Sequence, residues 1–304
     1  MRFPGGLIAC VAGVCISGSV AIAAPPAAPE TFTVNLSPPE KVGDRYHLIS
    51  RATETKDEII ARVHGKNEAK EDVTVDLDGI VTVRKIDSHG SATWLECTVT
   101  HLRATEGGIT SDIIPPGSVI TTQAVPLSGD RYQRYIKWQG GKLGPDRIKQ
   151  LGKVFQSAMP EAPTQQDIFG SATPQPIGST WALNRERGVQ YLSSLAITVE
   201  PRDFSGKSQL IGIEKLGNVD SFHVDGSMKA TKFKLTVTSN AKTDKASMWL
   251  KFSAVVPRDL SLRSKYSEQG HIELTERGVD ANVQGFRREL TMDYTQEMTV
   301  EPVK

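Results

Sequence analysis

The sequence predicts a mainly β protein, with long antiparallel strands in a curved meander or half-barrel and one central helix, at about residues 145–159, packed on the sheet. Three observations lead there. Apolar and polar residues alternate over short runs, Gly and Asn interrupt those runs where hairpins need them, and a single stretch carries apolar residues at helical spacing.

In RYHLISRAT, Tyr46, Leu48, Ser50 and Ala52 fall on one side and Arg45, His47, Ile49 and Arg51 on the other. EDVTVDL sets Val73, Val75 and Leu77 against Thr74 and Asp76, and KFKLTVTSN sets Phe233, Leu235 and Val237 against Lys232, Lys234, Thr236 and Thr238. DLSLRSKY and HIELTE alternate in the same way near the C-terminus. Strict alternation marks antiparallel sheet with one wet face. The stretches DSHGS, EGG, LGN, SNAKTD and EQG read as the turns between these strands, each supplying Gly or Asn for a positive backbone φ.

One segment changes period. Ile148, Leu151, Val154, Phe155 and Ala158 recur at helical spacing, with Pro145 suited to the first turn and Pro160 to a stop. Gly152 weakens this helix by about 1 kcal/mol relative to Ala. The Pro- and Gly-rich stretch that follows reads as a surface connection into IGSTWAL. IGSTWAL echoes an earlier VGDRYHL, with Gly43, Tyr46 and Leu48 matched by Gly178, Trp181 and Leu183. The echo predicts that both segments open strands, with Tyr46 and Trp181 pointing into apolar interior.

Four segments follow from this reading. Residues 1–23 carry Arg2, an apolar run from Leu7 to Ile22, and Ala21 and Ala23 in a small-x-small pattern, which predicts an export leader cleaved after Ala23. The run is too short and too diluted by Gly and Ser for a membrane span. LIAC, ending at Cys10, has the form of a lipobox but leaves too few residues before it for both a charged and an apolar region. Residues 24–30 are a Pro/Ala spacer, 31–160 a β half ending in the helix, and 161–304 a second β half, read as a possible structural pseudo-repeat of the first.

Composition narrows the chemistry. The chain has 36 Lys and Arg against 35 Asp and Glu, and a chain so balanced, without a concentrated basic face, is not expected to bind nucleic acid. Beyond the leader Cys97 stands alone, in phase with Leu95 and Val99, which predicts an inert buried thiol. The six His are not spaced as metal pairs, and Asp87 with His89 reads as turn chemistry. His101, Ser111 and Asp112 lack the strained elbow that orders a hydrolase triad. SGKS, at Ser205–Ser208, lacks the upstream Gly of a phosphate loop and reads as a turn. Six Lys between Lys229 and Lys251 fit a solvated strand face, with contact to anionic lipid as the other reading.

The succession of helix, Pro-rich bend and IGSTWAL, from Gly141 to Leu183 and resting on Gly178 and Trp181, resembles a pattern in exported bacterial domain-of-unknown-function families. In general style the chain is also similar to the one-helix-plugged curved sheets of periplasmic lipoprotein carriers, although no motif matches those carriers residue by residue. The resemblance implies an envelope location, periplasmic or extracellular, without known catalysis, and transfers no functional residues. The expectation is a non-catalytic β-sheet protein without metal or cofactor. It would bind a hydrophobic ligand such as a lipid, or another envelope protein. Trp138, Phe155 and Met159 are the candidate ligand contacts, beside a helix that either packs as core or covers a groove. The alternative is a structural or protein-interaction module of the envelope; a hydrolase ranks third.

Overall fold

The computed structural model describes residues 29–62, 64–126, 132–160, 162–235, 241–259, 261, 263–279 and 285–303. The predicted leader and its cleavage point after Ala23 lie outside the described residues. The first half holds β1 (Thr31–Phe32), β2 (Arg45–Arg62), β3 (Gly65–Ile86), β4 (Ala92–Glu106), β5 (Ile109–Asp112), β6 (Val119–Pro126), β7 (Tyr132–Trp138) and α1 (Pro145–Val154). Then come α2 (Gln165–Phe169), β8 (Gln175–Pro176), β9 (Thr180–Ala182), α3 (Arg185–Ser194), β10 (Ile197–Val199), β11 (Phe204–Leu216) and β12 (Val219–Ala230). The chain ends with β13 (Phe233–Leu235), β14 (Lys242–Pro257), β15 (Ser264–Val279) and β16 (Gly285–Pro302).

Twelve strands form one open, antiparallel sheet in the order β7-β6-β4-β3-β2-β16-β15-β14-β12-β11-β9, with β5 on β4. Sheet neighbours are close along the chain, with β5, β10 or β13 at most between them, except at the centre, where β2 meets β16 from Tyr46↔Pro302 to Arg62↔Phe286. The order is that of a barrel whose seam between first and last strands is closed, while the gap between β7 and β9 stays open. The chain crosses that gap through α1 and α2.

The sheet is strongly curved. Tyr191 on α3 is in electrostatic reach of both Arg134 on β7 and Glu268 on β15. Those strands stand six places apart, which at about 4.8 Å per place would separate them by about 29 Å in a flat sheet. The inner face therefore curls around its contents. Two apolar clusters fill its ends. One packs β2, β3, β4 and β6 against Leu151, Val154 and Phe155; the other packs β11, β12 and β14 against Ile168, Phe169 and Leu192. Fully burying a Phe or Leu of this kind contributes about 1.5–3 kcal/mol.

The mainly β class with a helix on the sheet agrees with the structure, and the details correct it. The helix ends at Val154 rather than near residue 159. Beyond it, the backbone N–H groups find partners on the sheet: Ser157 donates to Thr122 Oγ1 (3.4 Å) and Ala158 to the Ala92 carbonyl (2.7 Å). Two further helices lie where a plain connection and a strand-rich half were expected. α2 is held by a capping box between Thr164 and Asp167, and α3 by Asn184, whose Oδ1 accepts from Arg187 N. SGKS lies within β11, where a Cβ on Gly206 would stand 2.2 Å from the Ser227 carbonyl oxygen. EQG is not a turn either but the middle of β15.

The two echoing glycines behave alike. Gly43 (φ 94°) and Gly178 (φ 83°) both turn the chain in the left-handed region, and their N–H groups bond to Val83 O (2.9 Å) and Leu210 O (2.7 Å). Tyr46 is buried, while Trp181 is half-buried and donates from Nε1 to the Phe169 carbonyl at 2.8 Å. The strands they open differ: β2 runs 18 residues through the sheet centre and β9 three residues at an edge.

Candidate functional site

Even-numbered residues of β14, β15, β16 and β2 point to the inner face. On β14 they are buried, as at Met248, Leu250 and Phe252. On the central strands β15 and β16 they keep partial exposure: Tyr266, Glu268 and Ile272, then Met292, Tyr294, Gln296 and Met298. The surface they show faces a cavity of about 1220 Å³ between this floor, the end of α1 at Val154 and Phe155, and α3 at Tyr191, Leu192 and Leu195. Curvature thus leaves the middle of the sheet uncovered where its two ends are packed.

The lining is largely apolar and adaptable. Four of the six methionines, Met228, Met248, Met292 and Met298, lie on it. Met is unbranched and polarisable, so it conforms to irregular partners. Gln296 Nε2 donates to the Lys153 carbonyl (3.3 Å), and Lys153 pairs with Glu54, which ties the end of α1 across to β16 and β2.

One polar cluster interrupts this surface. Tyr294 donates to Glu268 Oε1 at 2.6 Å, and Tyr266 donates to Oε2. Burial pushes the Glu268 carboxyl above the usual range, and the two tyrosine hydrogen bonds only partly offset it. Burial also pushes the Tyr191 hydroxyl up to about 12, with the Glu268 charge acting in the same direction. Tyr266 and Tyr294 are raised for the same two reasons, so all three phenols keep their protons. Nearer the rim, burial raises Glu40, which accepts from Ala92 N at 2.9 Å.

A smaller cleft, of about 690 Å³, opens beside α1. Its four lysines are all committed: Lys56 to Glu58 (2.6 Å), Lys70 to Asp57 (3.3 Å), Lys149 to Glu71 and Lys153 to Glu54. No lysine of this cleft is left for a ligand, and the larger cavity is the candidate site.

Of the three residues expected to contact a ligand, Phe155 stands on the cavity wall. Trp138 packs against the first core with its ring over Gly140 and Gly141, and Met159 follows α1 half-buried; neither lines the cavity. Tyr266 and Glu268 escape a linear reading because EQG has the composition of a turn. Their signal was parity: Tyr266, Glu268, Gly270, Ile272 and Leu274 alternate without a break.

The remaining sequence candidates are structural. Asp87 Oδ1 accepts from His89 N and Ser91 N (both 2.9 Å), which closes a turn. Asp112 is held by Arg103 Nε at 3.1 Å. All six lysines from Lys229 to Lys251 are exposed. Cys97 is fully buried. Among the described residues, no three His, Cys, Asp or Glu side chains converge as a metal set, and no helix is long and apolar enough to cross a membrane.

No family model matches the chain, and no curated protein matches it either. Among solved structures, it is similar to lipovitellin, in a structure titled for its lipid–protein interactions, at 8% identity and a TM-score of 0.33. That alignment covers 87% of this chain and 26% of the lipovitellin chain, so the chain spans about a quarter of that neighbour. It is also similar to P47 from Clostridium botulinum A2, at 8% identity and a TM-score of 0.16, over 82% of this chain and 80% of the other. An outer membrane channel from Pseudomonas putida F1 aligns at 9% identity and a TM-score of 0.19, over 90% and 99%. At these scores the likenesses do not define a shared fold.

Proposed function

We propose that the protein is an exported, non-catalytic carrier that binds a hydrophobic or amphiphilic molecule in the cavity on the inner face of its sheet. One observation carries this reading. The central strands turn Ile272, Met292 and Met298 toward a space of about 1220 Å³ and leave them half-buried; Ile272 and Met298 only border the apolar clusters, and Met292 belongs to neither. Leaving large apolar side chains facing a space forgoes about 25 cal/mol for every Å² not buried. A ligand that fills the space recovers that stabilisation. Pockets of this kind, mainly apolar with a few convergent polar groups, are the usual form of small-molecule sites. Export is the part of the proposal that rests on residues 1–23, and a mature chain beginning at Ala24 is its test.

The experiment is titration with a neutral fluorescent naphthylamine dye of the protein after removal of co-purified lipid. Saturable binding is expected, and Met292→Trp and Met298→Trp, which fill the cavity from its floor, should weaken it at least about tenfold, or 1.4 kcal/mol. Absence of saturable binding, or binding unchanged in both folded variants, would overturn the reading.

A further inference from the structure

We infer that the cavity floor built by Glu268, Tyr266, Tyr294 and Tyr191 selects an amphiphile whose polar end is a protonated amine. This rests on the reading of the cavity as a ligand site and adds the chemistry of the head group.

The cluster is rich in acceptors and short of positive charge. Tyr266 and Tyr294 each have one hydroxyl proton, and each gives it to Glu268, so only oxygen lone pairs remain for a ligand. Tyr191 lines the same cavity, senses the Glu268 charge, and makes no side-chain hydrogen bond among the described residues. Glu268 itself has no ion-pair partner among the described residues; its surroundings act on it through burial and the two tyrosines. The nearby cations are committed elsewhere: Lys149 pairs with Glu71, Lys153 with Glu54, and Arg134, which reaches Tyr191 electrostatically from outside the cavity lining, donates to the Ser157 carbonyl (3.0 Å) and Gln156 Oε1 (2.6 Å).

Each head-group class meets this floor differently. A carboxylate or phosphate would face Glu268 with like charge and accept where the site also only accepts. A hydroxyl could donate one proton but would leave the carboxyl uncompensated. An ammonium brings three donors and the opposite charge into a desolvated setting, where a charge-assisted hydrogen bond is strongest. Tyrosine rings around it add cation–π attraction. The apolar tail then runs along Met292, Met298 and Phe155, all on the cavity lining.

The test displaces the neutral dye from the lipid-free protein with dodecylammonium, dodecanol or dodecanoate, three probes sharing one tail. Dodecylammonium should displace at a concentration at least about tenfold below dodecanol, with dodecanoate weakest. Glu268→Gln should abolish the preference for the amine while dye binding persists. Tyr191→Phe, which removes a hydroxyl without a hydrogen bond among the described residues, should lower amine affinity severalfold and leave dodecanol unchanged. If the dye binds but the amine gains nothing over the alcohol, or keeps its advantage in both variants, the inference is wrong and the carrier reading stands. If neither dye nor any probe binds, the carrier reading has failed and this inference with it.

Discussion

Tyr294 lies directly opposite Gly270 in the β15–β16 ladder, and a Cβ on Gly270 would stand 1.9 Å from the tyrosine ring. The glycine leaves room for the ring to lie across the neighbouring strand. Its hydroxyl then reaches Glu268, two residues before Gly270 on the same inner face. The same device recurs at Gly226, opposite Phe252, where a Cβ would stand 2.0 Å from the ring.

Gly270→Ala should therefore displace Tyr294 and cost about 1–3 kcal/mol, the usual range for overpacking. Tyr294→Phe, which leaves Glu268 Oε1 without its donor, should cost a similar amount, about 1–3 kcal/mol. Because both act through one ring, the double variant should lose less than the sum in urea denaturation. Strict additivity would show that the glycine does not serve the tyrosine.

Glu268 also sets a pH dependence. Its folded value is raised by burial, so the folded state holds a proton that the unfolded state has released once the pH exceeds about 4.3. The stabilisation is fully present below that pH and is lost as the pH rises through the folded value. Glu40, also raised, acts in the same direction. Glu268→Gln should be relatively more stable at pH 8 than at pH 4.5 when each is compared with the parent. A variant whose stability falls in parallel with the parent across that range would contradict the assignment.

The echoing turns make a paired prediction. No atom lies within 4 Å of a Cβ built on Gly43 or on Gly178, so substitution meets only the backbone cost of a left-handed residue. Gly43→Ala and Gly178→Ala should each lower stability by about 1–2 kcal/mol. A much larger loss at either would reveal a packing role absent from the turn geometry.

Cys97 should be inert while the protein is folded. Burial, with a further contribution from Asp78, pushes its thiol up to about 12. An alkylating reagent at neutral pH should modify it only after denaturation. Rapid labelling of the native chain would contradict the buried position on β4.

Alternation along β2, β3 and the HIELTE stretch of β15 was legible in the sequence because side-chain parity is local and survives in any antiparallel sheet. The glycine turns at Gly90, Gly107, Gly108 and Gly217 were legible too, each with positive φ. Parity does not name a neighbour, however. Nothing in Tyr46–Arg62 marks it as the partner of a strand at the other end of the chain. Two glycines misled for one reason: Gly206 and Gly270 serve close packing inside strands, and a linear reading takes such glycines for turns. The cavity was illegible because it depends on curvature, which leaves a space between most of the inward residues of β15 and β16 and the ends of α1 and α3. Phe155 emerged from helical spacing and stands on the cavity wall, although the chain there has already left the helix.

Native mass spectrometry of the freshly purified full chain, followed by organic extraction, tests the central claim most directly. The account predicts a population carrying one or more bound amphiphile masses, removed by extraction and restored by adding dodecylammonium, with loss of the bound mass in Met292→Trp. A bare chain that takes up no amphiphile before or after extraction would contradict it.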